Sequence, residues 1–438
     1  MNCKVSTLEK LLCEMQSFDA IKDILNGYEL HSLQCIDVMK MLAAKRCLVI
    51  YATGKGKTLL ACAVMKLLWN EDSSRHFIMF VKKDQLIQTP KKIQDACGRE
   101  VISTAADAAS LQRIFSEDYT KYSVLMLTHD CLGNQKIMSE LFKVRDKYCG
   151  VIIDEAHELN NVYFAQSASM LASVVGNFEY CWALTATPII TDVGQLTKLA
   201  TIIDKKRFPD YLVLKRYLLS KSDGVESMPW FFIKRDGNDF GGKLDYRGIV
   251  AWADPMPHQC APCGGNDLML LCKGDGAVNQ AELLVELIKE RKGRRGLVYV
   301  NQHKVREWIL PFFDRAGIRF DCINGYTSGS KRAEIMDRFN TTKELDVVVT
   351  SVTTAVDLDC DFVIFYEFTL ETKQMIGRAH RGLGDKILDI IFIITDGTCE
   401  VDYFQNNILA RSLMIQNVLK MNYSEMEDAE REIQERGV

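Results

Sequence analysis

Apolar runs rich in valine, isoleucine and phenylalanine recur along the chain. They alternate with stretches whose apolar positions repeat at helical spacing, a pattern that predicts β-α-β units around parallel sheets. Residues 47–51, 76–81, 123–128, 150–154 and 181–187 form a first series of such runs, and residues 296–300, 319–323, 346–351, 361–367 and 387–395 form a second. Between the two series the texture shifts to glycine, proline, aromatics and unmatched charges, interrupted by Gly224, Gly237, Gly241 and Gly242. The pattern therefore predicts an α/β chain with a first domain over residues 1–204, a linker with an insert over 205–276, and a second domain over 277–438. The stretch from Tyr403 to Val438 reads as helical. Its last part carries Glu425, Glu427, Asp428, Glu430, Glu432 and Glu435 against Arg431 and Arg436, which predicts a solvated helix or a frayed end.

Length and composition narrow this picture. A chain of 438 residues exceeds one ordinary core, so two or three domains are expected. With 47% hydrophobic and 26% charged residues it has the composition of a globular, soluble protein. Its longest apolar runs, such as Leu388–Ile394, fall short of the ~18 residues of a membrane span. The opening MNCKVSTLEK has no apolar segment of the signal-peptide kind, so a reducing, cytosol-like compartment is expected. The fifteen cysteines then read as small buried hydrophobes. A net charge of −4 argues against a polybasic coat but leaves room for a local basic groove.

The chemistry begins after the first run. Thr53, Gly54, Lys55, Gly56, Lys57 and Thr58 follow it directly and precede Leu59 and a helical stretch. A strand, a glycine-bearing loop and a helix start make a phosphate loop. Gly54 and Gly56 let backbone N–H groups close around phosphates, and the helix N-terminus adds partial positive charge. Lys57 is placed to reach the β- and γ-phosphates, and the Thr58 hydroxyl to ligate Mg²⁺. The full phosphate-loop pattern has glycine at position 51, where this chain has Tyr51. The run GVIID ends in DEAH, Asp154 to His157. A carboxylate at the end of a buried strand is costly unless it serves a cation, which makes Asp154 the Mg²⁺ partner. Glu155 is placed to orient and deprotonate an attacking water.

At these residues the chain resembles the superfamily 2 helicases, over most of its length. Leu184 to Pro188 (LTATP) is similar to that family's third motif, Gln34 to its adenine-contacting glutamine, Thr350 to Leu358 to its fifth motif, and Gln374 to Arg381 (QMIGRAHR) to its sixth. GRAHR followed by Gly-Leu-Gly is most similar to the Swi/Snf remodelling branch and related viral nucleoside triphosphatases. The resemblance implies two RecA-like domains with ATP bound and split in the cleft between them. Nucleotide contacts would come from Gln34, residues 53–59 and Asp357, and catalytic work from Lys57, Glu155, Gln374, Arg378 and Arg381. Arg378 and Arg381, three apart, share one helix face and could both reach charge developing on a γ-phosphate. The resemblance also implies a nucleic-acid path lined by Lys82, Lys83 with Asp84, Thr128, Asn301, Thr350 and Ser351, meeting phosphates without reading sequence. The basic run Lys289, Arg291, Lys292, Arg294 and Arg295 reads as a solvated helix end.

In the insert, Cys260 and Cys263 have the spacing of a zinc knuckle, which His258 and Cys272 could complete, or all are reduced structural residues. The expected activity is an ATP- and Mg²⁺-dependent translocase or helicase acting on nucleic acid, DNA in preference to RNA, and tracking duplex more than unwinding it. Two alternatives keep the same motifs: a nucleotide-driven switch gating a protein partner, with the insert as the docking segment, and an RNA helicase. No membrane partner is expected.

Overall fold

The computed structural model describes residues 21–436 except 53, 87, 104–110, 112–121, 161–170, 190–191, 241–243, 257–272, 274–276, 352–355, 380–385 and 422. It divides into two compact units. The first holds residues up to Phe240 together with Val418–Lys420, and the second holds Gly241–Asn417 with Met421–Val438. Each is built on one parallel sheet flanked by helices, the two-domain helicase architecture that the sequence predicts.

The first unit runs α1 (Ser32–Ala44), β1 (Arg46–Tyr51), α2 (Lys57–Glu71), β2 (Phe77–Val81), α3 (Gln88–Cys97), β3 (Val101–Ser103), β4 (Val124–Thr128), α4 (Gln135–Val144), β5 (Gly150–Ile153), β6 (Tyr180–Thr185), α5 (Val193–Ile203), α6 (Tyr211–Ser220) and β7 (Phe232–Arg235). The strands pair in the order β3-β4-β2-β5-β6-β1-β7. The inner ones are buried on both faces, which is why they are continuous apolar runs rather than alternating ones. The order places the ends of β1 and β5 on either side of β6, with Ile50 opposite Thr185 and Ile153 opposite Ala183. In a parallel α/β sheet, ligands bind outside the carboxyl ends of the strands, and here those ends carry the phosphate loop, DEAH and LTATP side by side.

The second unit runs β8 (Leu244–Ala253), α7 (Val278–Glu290), β9 (Gly296–Tyr299), α8 (His303–Ala316), β10 (Phe320–Ile323), α9 (Gly329–Asn340), β11 (Val347–Thr350), β12 (Phe362–Phe365), α10 (Thr372–Arg378), β13 (Lys386–Thr395), α11 (Cys399–Tyr403), α12 (Ala410–Leu419) and α13 (Ser424–Arg436). Its strand order is β10-β11-β9-β12-β13-β8.

Three expectations change. Residues 205–276 do not stand apart as an insert, because β7 extends the first sheet beside β1 and β8 pairs along its whole length with β13. These strands escape detection because β7 ends in Lys234 and Arg235 and β8 contains Asp245, Arg247 and Gly248. The basic run at the end of α7 is solvated only in part, with Lys289 and Lys292 exposed but its arginines engaged. Arg291 and Arg294, with Arg247, converge on the buried Asp389 carboxylate, and the backbone N–H of Arg295 donates to Asp361. Three arginines gathered around Asp389 satisfy a carboxylate that could not otherwise be buried.

The acidic C-terminal helix is the third. α13 buries Met426, Ala429 and Ile433 against β8, the edge strand. Its carboxylates take the place of a further strand: Asp428 accepts from the Gly248 N–H at 3.1 Å and Glu432 from that of Val250. Open backbone groups on an edge invite further pairing, and here side chains of a helix satisfy two of them. Gly248 is required for this approach, since a Cβ there would lie 2.0 Å from the Glu425 carbonyl oxygen. Gly248→Ala is therefore expected to lift the helix from the edge and to destabilise the second unit by about 2–3 kcal/mol, read as a lower urea midpoint. An unchanged midpoint would contradict this packing. Among the described residues no helix is long and apolar enough to cross a membrane.

Candidate active site

The phosphate loop is shaped by two glycines. Gly54 and Gly56 have φ of 76° and 83°, in the left-handed region that side chains rarely occupy. Gly56 is also the N-cap of α2, and a Cβ on it would lie 2.6 Å from Gln34 Nε2. Gln34 approaches so closely because it bonds to the loop itself. Its Nε2 donates to the Lys55 carbonyl at 3.0 Å while its Oε1 accepts from the His31 N–H at 2.8 Å. The glutamine thus ties the start of α1 to the loop. Burial lowers the Lys55 ammonium pKa, with Asp236 opposing. Lys57 opens α2 and is buried, its Nζ 3.4 Å from the Tyr51 carbonyl oxygen.

Tyr51, which stands in place of the expected glycine, is fully buried and donates its hydroxyl to Asp37 Oδ2. Asp37, equally buried, takes a two-pronged pair from Arg235 at 2.7 and 2.9 Å. A buried tyrosine–aspartate–arginine cluster therefore backs the loop, linking α1, β1 and β7. Burial and the Asp37 charge push the Tyr51 phenol pKa far up, so it stays a donor. Sequence reading missed Asp37 and Arg235. The one available signal was a carboxylate on the apolar side of α1, among Val38, Met39 and Met41.

On the other side of β6, Asp154 is buried, and desolvation, then the neighbouring Glu155, raises its pKa to about 6, with Lys57 opposing. Glu155 has φ of 47°, a left-handed backbone on a residue with a side chain, and its N–H donates to Asp154 Oδ1 at 3.0 Å. Strain of this kind persists where surrounding structure enforces it. His157 then joins DEAH to LTATP: its Nδ1 is 2.9 Å from the Thr185 hydroxyl and 3.5 Å from Glu155 Oε2, and its Nε2 is 3.5 Å from Glu158 Oε1. Glu158 in turn pairs with Lys82 at 2.6 Å, and these contacts hold its carboxyl below the usual range. His129, also missed from sequence, sets its Nε2 2.7 Å from the Asp154 carbonyl oxygen, and burial lowers its pKa to about 4.

The His129 and Asp154 shifts act on stability with opposite signs. An unfolded histidine takes up its proton near ~6.5, before the folded one, so falling pH costs up to about 3 kcal/mol between there and 4. For Asp154 the folded state takes up the proton first, and a similar amount is gained between about 6 and 4. Asp154→Asn deletes only the gain. Its melting temperature is expected to fall more steeply than wild type from pH 6.5 to 4, and parallel curves would refute the pairing.

Two family models match this chain: "Type III restriction enzyme, res subunit" over residues 12–190 and "Helicase conserved C-terminal domain" over residues 279–382. Together they take in well over half of its length. The chain is a superfamily 2 helicase-like ATPase. No curated protein matches it. Among solved structures, the ATPase is similar to the Pyrococcus furiosus Hef helicase domain, at 14% identity over 85% of this chain and 96% of that one, with a TM-score of 0.54. The Sulfolobus solfataricus SWI2/SNF2 ATPase core is matched at 15% identity, both in complex with dsDNA (90% and 95% covered, TM-score 0.41) and as the core domain itself (91% and 92%, TM-score 0.44).

The ATPase places the remaining predicted residues unevenly. Gln34, Gly54–Gly56, Lys57, Thr58, Leu59, Asp154 and Glu155 gather around the carboxyl ends of β1 and β5 in the first unit. Asn301, Ser351 and Asp357 follow strands of the second unit, where Arg378 Nη1 lies 3.3 Å from Asp357 Oδ1. Lys83 and Asn301 are exposed and Ser351 half-buried, whereas Thr128 and Thr350 are buried and Lys82 is engaged by Glu158. Thr53, Arg381 and the side chains of Asp84 and Gln374 lie outside the described residues, as do His258, Cys260, Cys263 and Cys272. Among the described residues no cluster of potential metal ligands occurs.

Proposed function

We propose that the ATPase uses its hydrolysis cycle to move along nucleic acid, with duplex DNA as the preferred track and without efficient strand separation. The observation that supports this is the continuous set of contacts from Glu155 through His157 to Thr185 and through Glu158 to Lys82. A change in the charge carried at Glu155 is felt by both LTATP and the segment after β2, where the resemblance to helicases locates backbone contacts. A motor needs that coupling, and a phosphatase does not.

In this reading Lys57 binds the terminal phosphates, Glu155 orients and deprotonates the water, and Gln374, Arg378 and Arg381 of the second unit meet the charge that develops on the γ-phosphate. Gln34, the loop and Asp357 hold the nucleotide. The donor set suits Mg²⁺: a hydroxyl at Thr58 and a buried carboxylate, Asp154, whose pKa burial raises. When bound, the ion supplies positive charge against the phosphate oxygens. Phosphate tracking by Lys83, Asn301 and Ser351 would be indifferent to sequence and weaken steeply with salt.

The test is ATPase activity with duplex DNA, single-stranded DNA and RNA in parallel, followed by triplex displacement and forked-duplex unwinding under the same ATP. Duplex stimulation with triplex displacement is expected. Fork unwinding without triplex displacement would overturn the tracking mode, and a rate indifferent to every nucleic acid would point instead to a switch acting on a protein.

A further inference from the structure

The helix that carries Arg378, α10, is only seven residues long. So short a helix has little stability of its own, and its direction is set by what grips its ends. Its carboxyl end is tied locally: the N–H groups of Leu358 and Cys360 donate to the carbonyls of Arg378 and Ala379, each at 2.9 Å. Its amino end is gripped from far along the chain. Lys373 Nζ lies 2.9 and 3.2 Å from the two carboxylate oxygens of Glu425, in the first turn of α13. The same ammonium sits 4.4 Å from the ring centres of both Tyr246 on β8 and Tyr423 ahead of α13. The Glu425 side chain is fully buried, and the Ser424 hydroxyl donates to the Tyr246 carbonyl, closing the arrangement.

A buried ion pair is a poor source of stability, since its desolvation offsets most of its attraction, but it fixes geometry where packing alone would allow slippage. Lys373 lies roughly 140° around the helix from Arg378, so it holds α10 from the side away from that arginine. We propose that Lys373 is a positioning residue, whose clamp on Glu425 aims the Arg378 helix and makes the C-terminal helix part of the hydrolysis machinery. The proposal rests on the proposed function, in which Arg378 acts on the γ-phosphate.

Catalysis is sensitive to misplacement of about 1 Å, which can lower rates ~100-fold. Lys373→Met, whose side chain still packs between two rings, and Glu425→Gln are therefore expected to lower kcat for ATP by about 10- to 100-fold. Affinity for a fluorescent ATP analogue should change little, because the phosphate loop is in the other unit. Lys373→Met, which leaves the buried Glu425 carboxylate without its partner, should also lower the melting temperature, and kcat is therefore compared well below it. Lys373→Arg, which keeps the charge, should retain most turnover. All variants are assayed as the full chain with the nucleic acid that stimulates wild type most. Arg378→Ala run alongside separates the two ideas: wild-type turnover in it overturns the role of that arginine, and the proposal with it. Loss of turnover in Arg378→Ala with wild-type kcat in both neutral Lys373 and Glu425 variants overturns the positioning proposal alone. Variants that fail to fold, or that lose rate only through a raised KM, would show the clamp to be structural and likewise overturn it.

Discussion

Lys57→Ala is expected to lower ATP affinity by about 10- to 100-fold, while Glu155→Gln binds ATP as wild type does and hydrolyses it about 100- to 10,000-fold more slowly. The two residues stand at opposite sides of β6 and serve different states of the reaction. Lys57, buried at the start of α2, lies 3.4 Å from the Tyr51 carbonyl oxygen, and a charge-assisted bond to phosphate is worth about 1.5–3 kcal/mol. In the proposed reading Glu155 acts when the water attacks, and loss of a positioned general base costs ~100- to 10,000-fold. Fluorescent-nucleotide titration gives the first quantity and single-turnover hydrolysis the second. Near-wild-type binding and turnover in both variants would remove the site assignment altogether.

The second large effect belongs to a residue that touches no nucleotide. Asp37→Ala strips the Arg235 guanidinium and the Tyr51 hydroxyl of their shared carboxylate partner, and leaving a buried charge unpaired costs about 3–5 kcal/mol, an upper bound for the partly exposed Arg235. Tyr51→Phe, which leaves the pair to Arg235 intact, should cost about 1 kcal/mol. Replacing Asp37 and Arg235 together by Leu and Met should restore much of the loss, since no isolated charge then remains. Urea denaturation of the set, read as a double-mutant cycle, decides the matter. If Asp37→Ala alone costs no more than Tyr51→Phe, the cluster is incidental. Because Lys57 Nζ lies against the Tyr51 carbonyl, the destabilised variant should also bind ATP more weakly than Tyr51→Phe does.

What could be read from the sequence was local. The phosphate loop, DEAH and LTATP are each a few consecutive residues, and the strands around them announce themselves because burial on both faces forces continuous apolar runs. β8 could not be read this way: it lies at the sheet edge, and Gly248, which looks like a breaker in the sequence, is there because Glu425 approaches it from the C-terminal helix. Asp37 and Arg235 are 198 positions apart, and nothing near either one names its partner. The arginines after α7 suffered the same ambiguity, since only the fold brings Asp389 to them. The spacing of a motif is a property of the chain, whereas the pairing of buried charges is a property of the fold.

Glu155 holds its place with a left-handed backbone, which costs an L-residue with a side chain roughly 1–2 kcal/mol and glycine almost nothing. Selection for heat resistance alone would accordingly favour glycine at a position where, in the proposed reading, the chemistry needs a carboxylate. A library of this chain screened only for survival on heating would fill with sturdier proteins that no longer split ATP, and any effort to toughen it has to score turnover in the same round.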